Sequence, residues 1–368
     1  MNPNRAVGGA GPFGVRRQSE RPAPTARLAP GPSSLSKAGL LFCLMLPAFL
    51  SPLFAQSTHA LIVVSASGEE QFKEQFWDWG SRLHRVLTEQ MQVPRNQVVF
   101  LFEDPSKDPS LVTGKSTKSE MTSATERVAN DCKEGDVLLV MLLGHGSHDG
   151  RNYKFNLVGP DVTDGDLEQL LRPFSKQEVV LVAATPSSGD LTRTLAGKNR
   201  VIIAATKSGL ENNQTVFGGF FVEAFENQAA DTDKNGRVSI LEAYLYTQKK
   251  VDGFYKERQK LATEHSLLED DGNGRGSSIP SPKTGDGILA TRLSLNPAGD
   301  GLAASNGPGD NQQLRNLHAA KRKVESDIET LKYKKATMEE AEYQKDLERL
   351  LLDLARTDRQ IRSLEKGK

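Results

Sequence analysis

Cysteine is almost missing from this chain of 368 residues, where only Cys43 and Cys132 occur. So few thiols exclude a disulfide framework, and whatever folds must be held by its apolar core. An excess of either charge is missing as well. With 47 basic residues against 47 acidic ones, bulk electrostatics predict no nucleic-acid partner. A membrane-long apolar run is also absent: residues 38–54 come nearest, but Pro47 and Pro52 interrupt them, and a spanning helix needs roughly 20 residues. Histidine is scarce, and His265, beside Glu264, has no partner histidine at ligand spacing, so no zinc site is expected.

Residues 1–37 are rich in Pro, Gly, Ala and Arg, with Glu20 as their only acid, a composition that cannot build a core. Lys37 then precedes the apolar stretch, which closes on Leu53-Phe54-Ala55-Gln56. A basic leader, a short apolar segment and small residues before a polar one predict an export signal cleaved after Ala55. The expected product is periplasmic or secreted, has no stable membrane span after cleavage, and keeps Cys132 as its sole thiol.

Beyond the leader, short apolar runs alternate with helical patterns. Runs at 60–64, 98–102, 137–143, 178–184 and 200–206 read as strands. The stretches 71–90, 117–132, 163–171 and 217–226 read as helices. Phe72, Phe76, Trp79, Leu83, Val86 and Leu87 share one helical face, which predicts core packing. Strand, helix and strand in this order predict right-handed crossovers and an α/β fold: a mostly parallel sheet with helices on both faces. Ligands of such sheets sit beyond the carboxyl ends of the strands. There stand Gly144-His145-Gly146-Ser147, after the run 137–143, and Thr185-Pro186-Ser187-Ser188-Gly189, after the run 178–184. Glycines on both sides lift His145 to the rim, and if the two strands are neighbours it faces the Thr185 segment.

Between about Ala60 and Gly276 this order of elements resembles the caspase and legumain group of cysteine peptidases, specifically the legumain-type branch. In that group the histidine is the base and the nucleophilic cysteine ends the next core strand. Carried over, His145 matches the base and the nucleophile position falls on or near Thr185, where no cysteine stands. Cys132 precedes the His145 strand. The resemblance implies a caspase/legumain-like homologue of the cysteine-type endopeptidases whose catalysis is lost, acting as an interaction or scaffolding module for a peptide or protein partner. The alternative is an active peptidase in which Thr185, Ser187 or Ser188 supplies a hydroxyl and His145 is the base, with His148 and Asp149 near enough to orient it. Lys207 and Glu211 share the rim and are candidates for substrate binding.

Asp231-Thr232-Asp233-Lys234-Asn235-Gly236-Arg237-Val238-Ser239-Ile240-Leu241-Glu242 fits the twelve-position EF-hand loop. Asp231, Asp233 and Asn235 fall at positions one, three and five, and Gly236 at the turn. Arg237 offers a carbonyl at seven, Ser239 stands at nine and Glu242 at the bidentate twelfth place. Calcium is the expected cofactor; the same Asp and Asn side chains could instead cap the next helix. A second acidic run, Glu269-Asp270-Asp271-Gly272-Asn273-Gly274, opens similarly but has no acid at its twelfth place. It either lends ligands to the same ion or is a bare turn.

Four regions follow: leader and signal peptide at 1–56, the caspase/legumain-like domain with its EF-hand-type loop at 57–276, a linker at 277–311 and a helical hairpin at 312–368. Within the linker, 288–295 reads as one further strand. Residues 312–366 contain no Gly or Pro. Leu314, Leu317, Val324, Ile328, Leu331 and Met338 form one seam, and Tyr343, Leu347, Leu350, Leu354, Ile361 and Leu364 a second one out of phase with it, with Thr337 as a cap between them. Two antiparallel helices with this little core are expected to dock on the domain or to self-associate as a homo-oligomer.

Overall fold

The computed structural model describes residues 56–226, 229–283, 285–296, 312–335 and 338–365. The export signal, its cleavage site after Ala55, Thr337 and much of the linker lie outside the described residues. No helix among the described residues is long and apolar enough to cross a membrane.

The strands are β1 (Thr58–Val64), β2 (Val98–Phe102), β3 (Gly114–Lys115), β4 (Val137–Leu143), β5 (Gly146–His148), β6 (Tyr153–Phe155), β7 (Val162–Thr163), β8 (Glu178–Ala184), β9 (Arg200–Ala204) and β10 (Leu267–Glu269). Seven of them form one sheet in the order β10-β9-β8-β4-β1-β2-β3. Every pairing is parallel except that of β10 with β9 at one edge. The helices are α1 (Glu70–Arg85), α2 (Lys118–Asp131), α3 (Asp164–Leu171), α4 (Leu191–Thr194), α5 (Phe217–Glu226), α6 (Ile240–Glu257), α7 (Ile288–Arg292), α8 (Gln312–Lys334) and α9 (Glu340–Glu365).

All residues of β4 are buried, and their alternation divides the core in two. Val137, Leu139, Met141 and Leu143 pack with Phe76, Trp79 and Leu83 of α1 and with Phe217 and Phe221 of α5. Leu138, Val140 and Leu142 pack on the other face with Met121 and Val128 of α2 and Leu167 and Leu171 of α3. The expected α/β layering is therefore present, with helices on both faces. At the start of α2, Thr117 Oγ1 accepts the Glu120 amide, as a cap should.

Two local expectations change, at 71–90 and at 288–295. The helical pattern of 71–90 ends its α-geometry at Arg85 and closes as a π turn over Val86–Gln90. Residues 153–155 lie at the centre of a small antiparallel sheet, β5-β6-β7. The segment 288–295, read as a strand, contains the short helix α7. The carboxylate of Asp270 accepts the amides of Gly287 and Ala290, so a distant side chain nucleates a helix where local pattern reads strand.

The C-terminal helices form the expected hairpin. Ile328, Leu331, Tyr343 and Leu350 make its small core. An ion pair between Lys321 and Asp358 at 2.9 Å joins the ends far from the turn, which fixes the antiparallel arrangement. The first of the two helices, α8, lies against α7.

Candidate functional site

Because β1, β2, β4, β8 and β9 run parallel, their carboxyl ends share one rim. The register pairs Leu143 of β4 with Ala184 of β8, so the chain leaves both strands side by side at His145 and Thr185. Gly144 turns the backbone with φ +117°, a region that favours glycine. A Cβ there would stand 2.1 Å from Ser65 Oγ. That hydroxyl accepts the His145 amide at 2.8 Å. The imidazole sits edge-on between Phe72 and Phe76, with ring centres 4.9 and 5.0 Å away. Its Nε2 is 3.0 Å from the Ser67 carbonyl. A carbonyl can only accept, so Nε2 carries the proton and Nδ1 is the basic nitrogen.

The predicted nucleophile positions are buried. Gly146 lies against the Thr185 segment, since a Cβ on it would come within 2.8 Å of the Pro186 carbonyl and 2.9 Å of Thr185 Oγ1. Thr185 is fully buried, and its hydroxyl is 2.7 Å from the Tyr153 hydroxyl. Burial holds the Tyr153 phenol well above its ordinary range, outweighing the Thr185 hydrogen bond. Ser188 Oγ donates to the Thr185 carbonyl at 2.9 Å. Ser187 is fully buried too, adopts φ +59°, and its Oγ has no hydrogen-bond partner. None of these three hydroxyls bonds to His145.

The neighbouring charges are also engaged. His148 Nδ1 accepts the Gly150 amide, and its Nε2 is 2.9 Å from Asp190 Oδ2. Asp149 accepts the amides of Arg151 and Asn152 and pairs with Lys154. His148 and Asp149 therefore do not orient His145. Glu211 accepts the amides of Lys207 and His265 and pairs with the His265 ring. Burial raises its carboxyl, but the hydrogen bonds from Lys207 and His265 prevail and leave it below the ordinary range. The Glu211 carbonyl meanwhile accepts the Ser187 amide at 2.8 Å. Lys207 Nζ, 3.4 Å from Glu211, is the more exposed partner.

Cys132 does not approach this rim. It belongs with His59 and Asp136 at the amino ends of β1 and β4, roughly 20 Å from the rim at the ordinary rise of a strand. Burial and the neighbouring Asp136 and Asp131 push its thiol up to about 12, so it is held as an unreactive thiol.

In the loop before α6, Asp231, Asp233 and Glu242 bring one oxygen each within 4.8 Å of one another. Asp231 accepts the amides of Asn235 and Gly236. Glu242 forms a reciprocal cap with Ser239 and also accepts the Thr232 amide. Asp233 sits above its ordinary range through burial and the charges of Glu242 and Asp231. An all-oxygen set with unneutralised charge fits a hard divalent cation. Asn235, Arg237 and Ser239 lie along the same loop; the Asn235 side-chain oxygen accepts the Arg237 amide.

Two solved structures resemble the chain over 61% of its length. GSU0716 from Geobacter sulfurreducens is 13% identical, covered over 95% of its own chain, with a TM-score of 0.39. The Drosophila initiator caspase Dronc is 11% identical, covered over 82%, with a TM-score of 0.40. The likeness is one of fold. No family model matches the chain, and no curated protein matches it.

Sequence reasoning missed Ser65, Ser67 and Tyr153 as the groups that hold His145 and Thr185. Ser65 and Ser67 follow β1 at the same rim, a signal present in the order of strands. Nothing in spacing pointed to Tyr153. Glu264 and His265, neighbours in sequence, turn to different partners: Glu264 accepts the amides of Val216 and Phe217 at the start of α5, and His265 reaches across to Glu211.

Proposed function

We propose that this chain is an exported homologue of the legumain-type cysteine peptidases that has lost catalysis and binds a peptide or protein partner. One observation carries the reading. At the position expected for the nucleophile, Thr185 is fully buried and its hydroxyl is paired with Tyr153, while His145 Nε2 donates a hydrogen bond to the Ser67 carbonyl. Base and hydroxyl are each bonded to other groups, and no hydrogen bond joins them along which a proton could pass. What remains is a rim with exposed Lys207 beside a rigid clamp of Glu211 and His265, suited to contacting a peptide. In this reading calcium is held by Asp231, Asp233, Asn235, Ser239 and Glu242 with the Arg237 carbonyl, and the C-terminal helices serve association. Export rests on the pattern of residues 38–55.

A second reading has one observation in its favour. Ser187 is a non-glycine residue in the left-handed region with an unpartnered hydroxyl at the end of a core strand, and strained residues cluster at functional sites. Full-length protein, with calcium and with chelator, tested on a broad peptide library and with a hydroxyl-reactive phosphonate beside His145→Ala, separates the two. No cleavage and no labelling are expected. Cleavage or labelling that disappears in His145→Ala would establish a hydroxyl peptidase and overturn the silent reading.

A further inference from the structure

A second cluster of oxygens lies away from the EF-hand-type loop. Glu269, Asp271 and Asp286 each bring a carboxylate oxygen within 4.8 Å of the others. Glu269 ends β10 and is fully buried. One of its oxygens accepts the Gly274 amide; the other, Oε2, is buried with no hydrogen-bond partner. A carboxylate oxygen sealed from water without a donor is costly unless a cation meets it or a proton neutralises it. Among the described residues, no lysine, arginine or histidine forms an ion pair with any of the three acids.

The turn itself repeats four hydrogen bonds from the opening of the EF-hand-type loop. Asn273 donates its amide and its side-chain nitrogen to Asp271, as Asn235 does to Asp233. The Arg275 amide meets Asn273 as that of Arg237 meets Asn235. Gly274 gives its amide to Glu269 with φ +74°, as Gly236 gives its own to Asp231 with φ +80°. The missing element is the twelfth-position acid, where this turn has Pro280. The fold supplies a carboxylate from elsewhere. Asp286 accepts the Asp270 amide at 3.0 Å, and Asp270 in turn holds the start of α7 through Gly287 and Ala290.

We propose that Glu269, Asp271 and Asp286 form a second calcium site, with Asp286 supplying the carboxylate that the turn lacks. Oxygen-only donors and the absence of nitrogen or sulfur ligands select a hard cation over zinc or copper. Asp270 is not among the converging oxygens; its carboxylate holds the start of α7 instead. An ion here ties the antiparallel edge strand β10 to the start of α7. It also braces the turn against α4, because Gly272 and Gly274 lie beside Gly197 and Arg193. The site is separate from the Asp231 loop and stands whether or not that loop binds.

The test is calcium stoichiometry by equilibrium dialysis, with terbium luminescence as a second probe, on the full chain and on Asp271→Asn, Glu269→Gln and Glu242→Gln. Asp271 is exposed, so its variant keeps the fold even if the buried Glu269 variant does not; circular dichroism checks both. Asp271→Asn is expected to bind one ion fewer than wild type and to show a smaller calcium-induced rise in Tm. Glu242→Gln should remove a different ion, so the double variant loses both. Unchanged stoichiometry and an unchanged calcium response in folded Asp271→Asn would overturn the proposal. Loss in Asp271→Asn with no effect of Glu242→Gln would uphold it and count only against the loop at Asp231.

Discussion

Replacing Ser187 by glycine should stabilise the protein. Ser187 is fully buried at φ +59°, and its hydroxyl has no partner. The left-handed conformation costs a side-chain-bearing residue about 1 kcal/mol or more relative to glycine. A buried hydroxyl without a hydrogen bond costs about 1–3 kcal/mol in lost solvation. Against these gains, glycine's larger freedom in the unfolded chain costs about 0.5–1 kcal/mol, and the lost packing of one carbon about 0.8 kcal/mol. The balance favours Ser187→Gly by about 1 kcal/mol. Ser187→Ala keeps the strained backbone but also keeps the carbon and avoids glycine's entropy cost, so by the same figures it should gain at least as much as the glycine variant. Urea unfolding at 25 °C should show the midpoint rising with an unchanged slope for both variants. If both variants instead lose 1 kcal/mol or more, the hydroxyl has a partner that outweighs its burial, and the reasoning fails.

Two further perturbations test the frame around the rim. Burial lifts the Glu264 carboxyl to about 7, from an ordinary 4.5, despite hydrogen bonds from Val216, Tyr255 and Phe217. Between those values the folded chain binds more protons than the unfolded one, so this group's contribution is full below pH 4.5 and falls by roughly 3 kcal/mol as pH rises through 7. Stability of wild type minus that of Glu264→Gln, measured by denaturant at pH 4.5 and 8, should drop accordingly, and a pH-independent difference would refute it. Gly144→Ala forces a Cβ to 2.1 Å from Ser65 Oγ at φ +117°. It should cost about 3 kcal/mol or more and unseat the amide of His145, and a variant with the wild-type Tm would contradict that geometry.

Much of the framework is legible in the sequence. The runs at β1, β2, β4, β8 and β9 are continuous and apolar because both faces of the sheet are covered, and such runs stand out without context. The spacing of Phe76, Trp79 and Leu83 likewise announced a buried helical face. What failed was short or remote. β10 spans only Leu267–Glu269 and carries no readable period, and α7 exists because Asp270 caps it from another part of the chain. At the site, the adjacency of His145 and Thr185 followed from strand order, whereas the state of their side chains did not.

By itself, then, the sequence determined a parallel α/β sheet, a rim bearing His145 without a cysteine opposite, an EF-hand-type loop and a C-terminal hairpin. Each is written in local periodicity or in residues close along the chain. Only the tertiary structure decided that the Thr185 hydroxyl bonds that of Tyr153, that the Ser67 carbonyl accepts a hydrogen bond from His145, that Glu211 pairs with His265 and that Asp286 joins the cluster at Glu269. Those choices depend on hydrogen-bond directions and burial between residues far apart in sequence, and such contacts exist only once the sheet has brought its strand ends together.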